Sequence, residues 1–269
     1  MSPLAAAAVA CGGFALACWL LSIATGNYSQ VDRFWSIAPP LYVTWFAARA
    51  GFADARLDLM MALAIAWGAR LTYNFARKGG YRTGSEDYRW PKLRERIGAR
   101  RFQLLNATFI APYQNLQLLL ISLPAWVAYQ HRGAPLGAVD ALAAAAFAAF
   151  LVGETIADQQ QWRFQCDKQA RRSRGEPIAA EFVTGGLFRY SRHPNFFCEQ
   201  AMWWTFYLFS VAAGGGWLNA AIVGPALLTL LFQGSTTVTE RLTREKYPAY
   251  AEYQRTTSRQ IPWPPRRAG

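Results

Sequence analysis

Apolar residues lie along this chain in long blocks, not in the strict alternation of a half-buried strand. Blocks of about 20 residues are long enough to cross a hydrocarbon core of about 30 Å. Seven such blocks are legible, at roughly 3–25, 34–52, 57–77, 105–129, 136–160, 195–213 and 217–237. The pattern predicts an all-α, polytopic integral membrane protein with seven transmembrane helices, residues 1–269 making one membrane domain. The first block lacks a basic leader and stays apolar from Pro3 to Ala24, so it is expected to be a retained helix and not a cleaved signal.

Composition agrees, with 53% hydrophobic and 16% charged residues. The formal charge of +12 matters through where it falls. Nine Lys or Arg lie within 77–101, seven within 163–192 and seven within 241–267, which is 23 of 28. These stretches follow spans three, five and seven, on one side of the membrane. The positive-inside rule makes that side cytoplasmic, with the N-terminus outside and the C-terminus in the cytoplasm. The same distribution predicts a cytoplasmic anion-binding surface and contact with membrane lipids, and argues against nucleic acid as a partner. An Ala- and Arg-rich composition suggests a bacterial inner membrane. Four cysteines without CxxC spacing and two histidines make a metal site or a disulfide framework improbable.

Polar residues at the spans carry the candidate chemistry. Asp32, Arg33 and Trp35 stand where span two begins, before Pro39 and Pro40. Arg70, Tyr73 and Arg77 share one face of span three, and Arg70 lies two turns deeper than an interfacial arginine needs to be. In "RKGGYRTGSEDYRW", Glu86 and Asp87 either balance the basic loop or accept hydrogen bonds from a ribose or amide, with Tyr88 placed to stack on a base. Gln114, Asn115 and Gln117 in span four suit helix-to-helix hydrogen bonding, and Tyr113 a cavity wall. Glu154 and Asp158 are one helical turn apart in span five and repel each other unless cations or ligand donors meet them. Arg171, Arg172 and Arg174 form the densest cationic cluster, and forked guanidinium groups suit phosphate. Neither a strand followed by GxGxxG nor a GxxxxGK[ST] loop is present.

Residues 185–199, "GGLFRYSRHPNFFCE", place a Gly pair and then Arg192, His193 and Pro194 before a helix. Proline suits the first helical turn, where no amide partner exists, and the helix N-terminus favours an anion. Asn195 and Glu199, one turn apart, offer an amide and a carboxylate to a common point. Such a pair complements a primary carboxamide, which donates and accepts, and nicotinamide carries that group.

That segment, "GETIADQ" in span five and the ending "KYPAYAEYQRTTSRQIPWPP" together resemble the C-terminal half of the steroid 5-alpha-reductase family, in particular its bacterial membrane branch. The similarity covers roughly residues 60–264 and is strongest over 150–264. It implies a seven-helix fold, NADPH bound from the cytoplasmic side, and hydride transfer to a polarised C=C bond of a lipophilic, steroid-like small molecule. It puts Asn195 and Glu199 near the nicotinamide, Glu154 and Asp158 on span five, and Arg171, Arg172 and Arg174 on the phosphates. Tyr190, Arg192, Tyr247, Tyr250 and Tyr253 would close around the cofactor, with Arg82, Asp87 and Arg89 toward its adenosine end. Arg70 and His193 complete the cofactor-binding candidates.

The departures fall at the substrate. Glu154 stands where the steroid enzymes have an asparagine, and their early Gln-Glu pair is absent from the first 100 residues. The acid that protonates the substrate is therefore sought among Tyr73, Asp32 and Tyr113; an un-ionised Asp32 would need strong desolvation. Hydride would add beta to a carbonyl while a donor stabilises the enolate and a proton reaches the alpha carbon.

Two other classes remain open. An S-adenosylmethionine-dependent methyltransferase of the isoprenylcysteine or phospholipid type also carries an Arg-His-Pro turn and an acidic C-terminal segment. Here that segment offers a single Glu240-Arg241 in place of paired glutamates, and Asn-x-x-x-Glu replaces Tyr-x-Gly. A transporter or lipid-binding scaffold is the third, though no internal repeat appears.

Overall fold

The structure is a computed structural model that describes residues 1–178 and 180–266. Arg267, counted in the basic tail, lies outside the described residues. The molecule is all-helical, with 76% of it in helices and no strand among the described residues. In chain order the helices are α1 Pro3–Thr25, α2 Gln30–Trp35, α3 Ala38–Arg49, α4 Ala55–Arg77, α5 Arg89–Ile97, α6 Ala99–Leu105, α7 Ala111–Gln130, α8 Ala138–Ser173, α9 Pro194–Ser210, α10 Val223–Lys246 and α11 Tyr250–Thr256. A helix lies in each of the seven apolar blocks, from 12 residues in α3 to 36 in α8. Three helices are long and apolar enough to cross a membrane by themselves: α1, α8 and the helical stretch Ala220–Lys246.

Two compact units divide the chain: Met1–Ala145 with Trp204–Leu228, and Ala146–Trp203 with Thr229–Gly269. In the first unit, polar contacts tie consecutive helix ends together at two opposite ends. At one end the segment after α1 meets the segment after α4. Asn27 Nδ2 donates to Ser85 O at 2.7 Å, Tyr28 N to Glu86 Oε1 at 2.7 Å and Asp87 N to Ser29 Oγ at 2.8 Å. At the other end the turn before α4 meets the start of α8. Asp54 caps α4 through Leu57 N at 3.0 Å and accepts from Gly133 N at 2.8 Å. Arg56 forms a buried ion pair with Asp140 at 2.7 Å and donates to Pro135 O at 2.8 Å. Breaking a buried pair strands a charge, at about 3–5 kcal/mol.

Small residues set the helix spacing. A side chain at Gly68 of α4 would meet Ser36 O at 2.5 Å, and one at Gly224 would run into Leu120 O of α7. Beside that contact Gln117 Nε2 donates to Gly224 O at 2.8 Å, so one of the span-four amides does join two helices. Asn115 instead donates to Ala111 O of its own helix at 2.8 Å. A π-helical turn, Asn106–Ile110, separates α6 from α7. Pro112 accounts for it, because proline cannot give the amide hydrogen that a regular turn would use.

Two expectations about loops need correction. The stretch 163–192 was expected to be a loop from its first residue, yet α8 continues to Ser173, 36 residues in all or about 54 Å at 1.5 Å per residue. Its polar extension lacks an apolar block but is rich in good helix formers. The stretch 77–101 likewise contains α5 and the start of α6.

Candidate active site

Within the second unit α8 and α9 cross at small residues. A side chain at Gly153 would lie 3.0 Å from Cys198 Sγ, and the rings of Phe150 and Phe197 meet edge to face at 5.8 Å. Each of these contacts neighbours a carboxylate. Glu154, Asp158 and Glu199 are only 4–5% exposed, so three buried acids stand on the two helices beside their crossing. Glu199 Oε1 accepts from Trp203 Nε1 at 3.1 Å, one turn on, which fixes the carboxylate's rotamer. Asn195, one turn before it, is half-buried.

The turn before α9 is built around Arg192. Its Nε donates to Glu240 Oε1 at 2.7 Å and its Nη2 to Glu240 Oε2 at 3.2 Å, a forked pair to α10. Its Nη1 donates to Gln254 O at 3.0 Å and to Thr257 O, and its amide to Ser258 O at 2.8 Å. His193 Nε2 lies 3.1 Å from Glu240 Oε1, and Gln254 Nε2 donates to Glu240 Oε2 at 2.9 Å. Ser191 Oγ donates to Gln260 O at 2.6 Å, and Trp263 N to Tyr190 O at 2.9 Å. Arg192 and His193 therefore hold the C-terminal segment on the turn. Sequence reasoning gave both a cofactor role and did not join them to Glu240. The available signal was a glutamate next to Arg241 at the end of the last apolar block.

The tail tyrosines divide. Tyr253 Oη donates to Phe188 O at 2.5 Å, and Phe182 packs against Tyr250 and Tyr253. Burial pushes both of these phenols up. Tyr247 Oη instead accepts from Lys168 Nζ at 3.2 Å, while the same ammonium donates to Glu181 O at 2.6 Å. Burial acts upward on Tyr247 too, but Lys246 and Lys168 outweigh it and hold this phenol below its ordinary value. Tyr190 is exposed at the turn.

Arg171 and Arg174 pair locally, with Asp167 at 3.0 Å and Glu176 at 2.6 Å. With Arg172 they are solvent-facing side chains at and just past the end of α8. Exposed pairs of this kind are screened by solvent and hold their side chains only weakly.

The other candidates belong to the first unit. Arg70 is half-buried on α4. Tyr73 is 67% exposed with the Arg77 guanidinium 5.5 Å over its ring, and Tyr113 stacks on Phe109 at 4.8 Å. Arg82 is exposed in the turn after α4. Asp87 pairs with Arg89 at 2.7 Å, and both sit at the junction with the segment after α1. Asp32 is beside them. Burial first, then the Asp87 carboxylate, pushes the Asp32 carboxyl up to about 6. No group of three or more His, Cys, Asp or Glu among the described residues is disposed to hold a metal ion.

Comparison with known proteins adds three findings. The model of a family described as "Protein of unknown function (DUF1295)" matches residues 18–257. An uncharacterized protein of the fission yeast Schizosaccharomyces pombe is 39% identical over 258 residues, covering 91% of this chain and 75% of that protein. No solved structure matches the chain.

Proposed function

Because the chain belongs to the DUF1295 family, which is related to steroid 5-alpha-reductase-like proteins, we propose that it is an NADPH-dependent membrane reductase. Its substrate in this reading is a lipophilic enone, and its place is a bacterial inner membrane with the N-terminus outside. The observation that carries the reading is the trio of buried acids Glu154, Asp158 and Glu199 beside the α8–α9 crossing, on two of the three motifs that carry the resemblance.

The side chains present fit the cofactor's two chemistries. Buried carboxylates repel phosphate but accept hydrogen bonds from amides and hydroxyls, which suits a carboxamide and a ribose. The exposed arginines at the end of α8 suit the phosphates. NADPH supplies the hydride. Asn195 and Glu199 orient the carboxamide, Glu199 being already locked by Trp203. Tyr247, with its lowered phenol, is the tail residue best able to give or take a hydrogen bond as charge changes. Among the acid candidates, Asp32 is the carboxyl whose burial pushes it up toward the range of a general acid, to about 6.

The test is the thermal midpoint of the detergent-purified protein with NADPH, NADH, S-adenosylmethionine or no ligand. NADPH at 100 times its Kd should stabilise the fold by about 2.7 kcal/mol. Glu199→Gln should keep the ligand-free midpoint and lose most of the NADPH shift; equal shifts in parent and variant would remove Glu199 from the site. The methyltransferase reading is kept for one observation, the joining of Arg192 and His193 to Glu240. A shift with S-adenosylmethionine and none with NADPH would replace the first reading by the second.

A further inference from the structure

The two short helices after α4 divide their side chains by chemistry. On the inner side, Phe102 is fully buried and meets Tyr28 edge to face at 4.7 Å and Trp90 at 6.5 Å. Gln103 Nε2 donates to Tyr28 Oη at 2.5 Å, and the Arg94 guanidinium lies 5.7 Å over the Tyr28 ring. These contacts anchor α5 and α6 on the segment that follows α1. On the outer side Lys92, Arg96, Arg100 and Arg101 are all exposed, with Glu95 the one carboxylate from 90 to 105.

The outer face does not stay polar. Leu104, three and four residues after Arg101 and Arg100, is 65% exposed. Phe109, in the π-helical turn that leads into α7, is 37% exposed. Residues three and four apart share a helix face, so within α6 the cations Arg100 and Arg101 run directly into Leu104. A soluble anion uses the first half of such a surface and has no use for the second. A phospholipid uses both, its phosphate against the cations and its acyl chain against the strip.

We infer that α5, α6 and the π-helical turn form a docking surface for anionic phospholipid headgroups. Lys92, Arg96, Arg100 and Arg101 meet the phosphate and its negative surface, and Leu104 and Phe109 lie along the first part of the acyl chains. Each basic side chain near an anionic lipid surface adds to the attraction, within a distance set by salt. Its four cations are not among the side chains assigned above to cofactor binding, although Arg89, which is, opens the same helix; the surface does not depend on the reductase reading.

The experiment is native mass spectrometry and thermal melting of the full chain in a neutral detergent, with palmitoyl-oleoyl-phosphatidylglycerol against the phosphatidylcholine of the same chains. Phosphatidylglycerol should bind and raise the midpoint, and phosphatidylcholine should do neither. Lys92→Gln, Arg96→Gln, Arg100→Gln and Arg101→Gln together should weaken phosphatidylglycerol binding about tenfold or more. Replacing Arg171, Arg172 and Arg174 by Gln should leave it in place.

Equal binding of the two lipids would overturn the proposal, as would full retention of phosphatidylglycerol by the fourfold variant. Stabilisation by free glycerophosphoglycerol equal to that by the lipid would assign the cations to a soluble phosphate compound instead. Should the fourfold variant fail to fold, Leu104→Glu sets a negative charge beside Arg100 and Arg101 and should weaken binding on its own. Undiminished binding by Leu104→Glu would then count against the surface.

Discussion

At the scale of single residues, Asp32 makes a prediction that its neighbours sign. Its carboxyl is pushed from 3.8 to about 6, so the folded chain holds this proton more tightly than the unfolded chain does. The stabilising contribution is complete below pH 4 and is lost as pH rises to about 6, after which it stays constant. Asp32→Asn should therefore leave stability unchanged near pH 4 and raise it above pH 6, by an amount on the order of 1–3 kcal/mol, read as a higher melting midpoint at the higher pH alone. A variant whose advantage is the same at both pH values would show that folding does not raise the Asp32 carboxyl. The residue was visible in the sequence as an acid at the start of an apolar block, but its neighbours were not. Asp87 and Arg89 come from a loop more than 50 positions away, and separation of that kind leaves no local pattern. The same holds for Arg192, whose carboxylate partner is 48 residues on. Buried charges need partners, so each arginine announced that a partner existed and withheld which one.

At the scale of elements, helix positions were legible because each helix that carries an apolar block must bury or solvate it in lipid. What the blocks could not show was polar helix. The last turns of α8, from Gln161 to Ser173, satisfy their own backbone without an apolar stripe, so hydropathy read them as loop. Contacts between elements were hidden as well. Gly224 looks like any glycine in an apolar block, yet its missing side chain lets α10 touch the backbone of α7. Gly224→Ala should force the two helices apart and lower stability by about 1–3 kcal/mol. Gly12→Ala, which faces open space in α1, should instead be neutral or stabilise by about 0.5–1 kcal/mol. Melting the two variants beside the parent separates close helix approach from simple helix propensity.

For the whole molecule, the orientation read from basic loops becomes an experiment because the first unit has two ends with different partners. Thr83 lies in the exposed loop after α4 and Leu136 in the exposed segment before α8. In a cysteine-free background, Leu136→Cys should react with a membrane-impermeant maleimide on intact cells, and Thr83→Cys only after permeabilisation. The reverse result would invert the topology, and reaction of both on intact cells would end the reading of α4 and α7 as spans. The second unit has a different consequence, one that concerns the order in which the chain is made. Arg192 takes its partners from Glu240, Gln254, Thr257 and Ser258, all synthesised 48 or more residues after it. At roughly 5–20 residues per second, the ribosome takes several seconds to supply them. Throughout that interval α8 and α9 can exist, but the turn between them has nothing to close on. A chain cut short before Gln254 would keep the Glu240 pair but lose the carbonyls of Gln254 and Thr257 that Arg192 Nη1 donates to, leaving the turn at 185–193 half-tied.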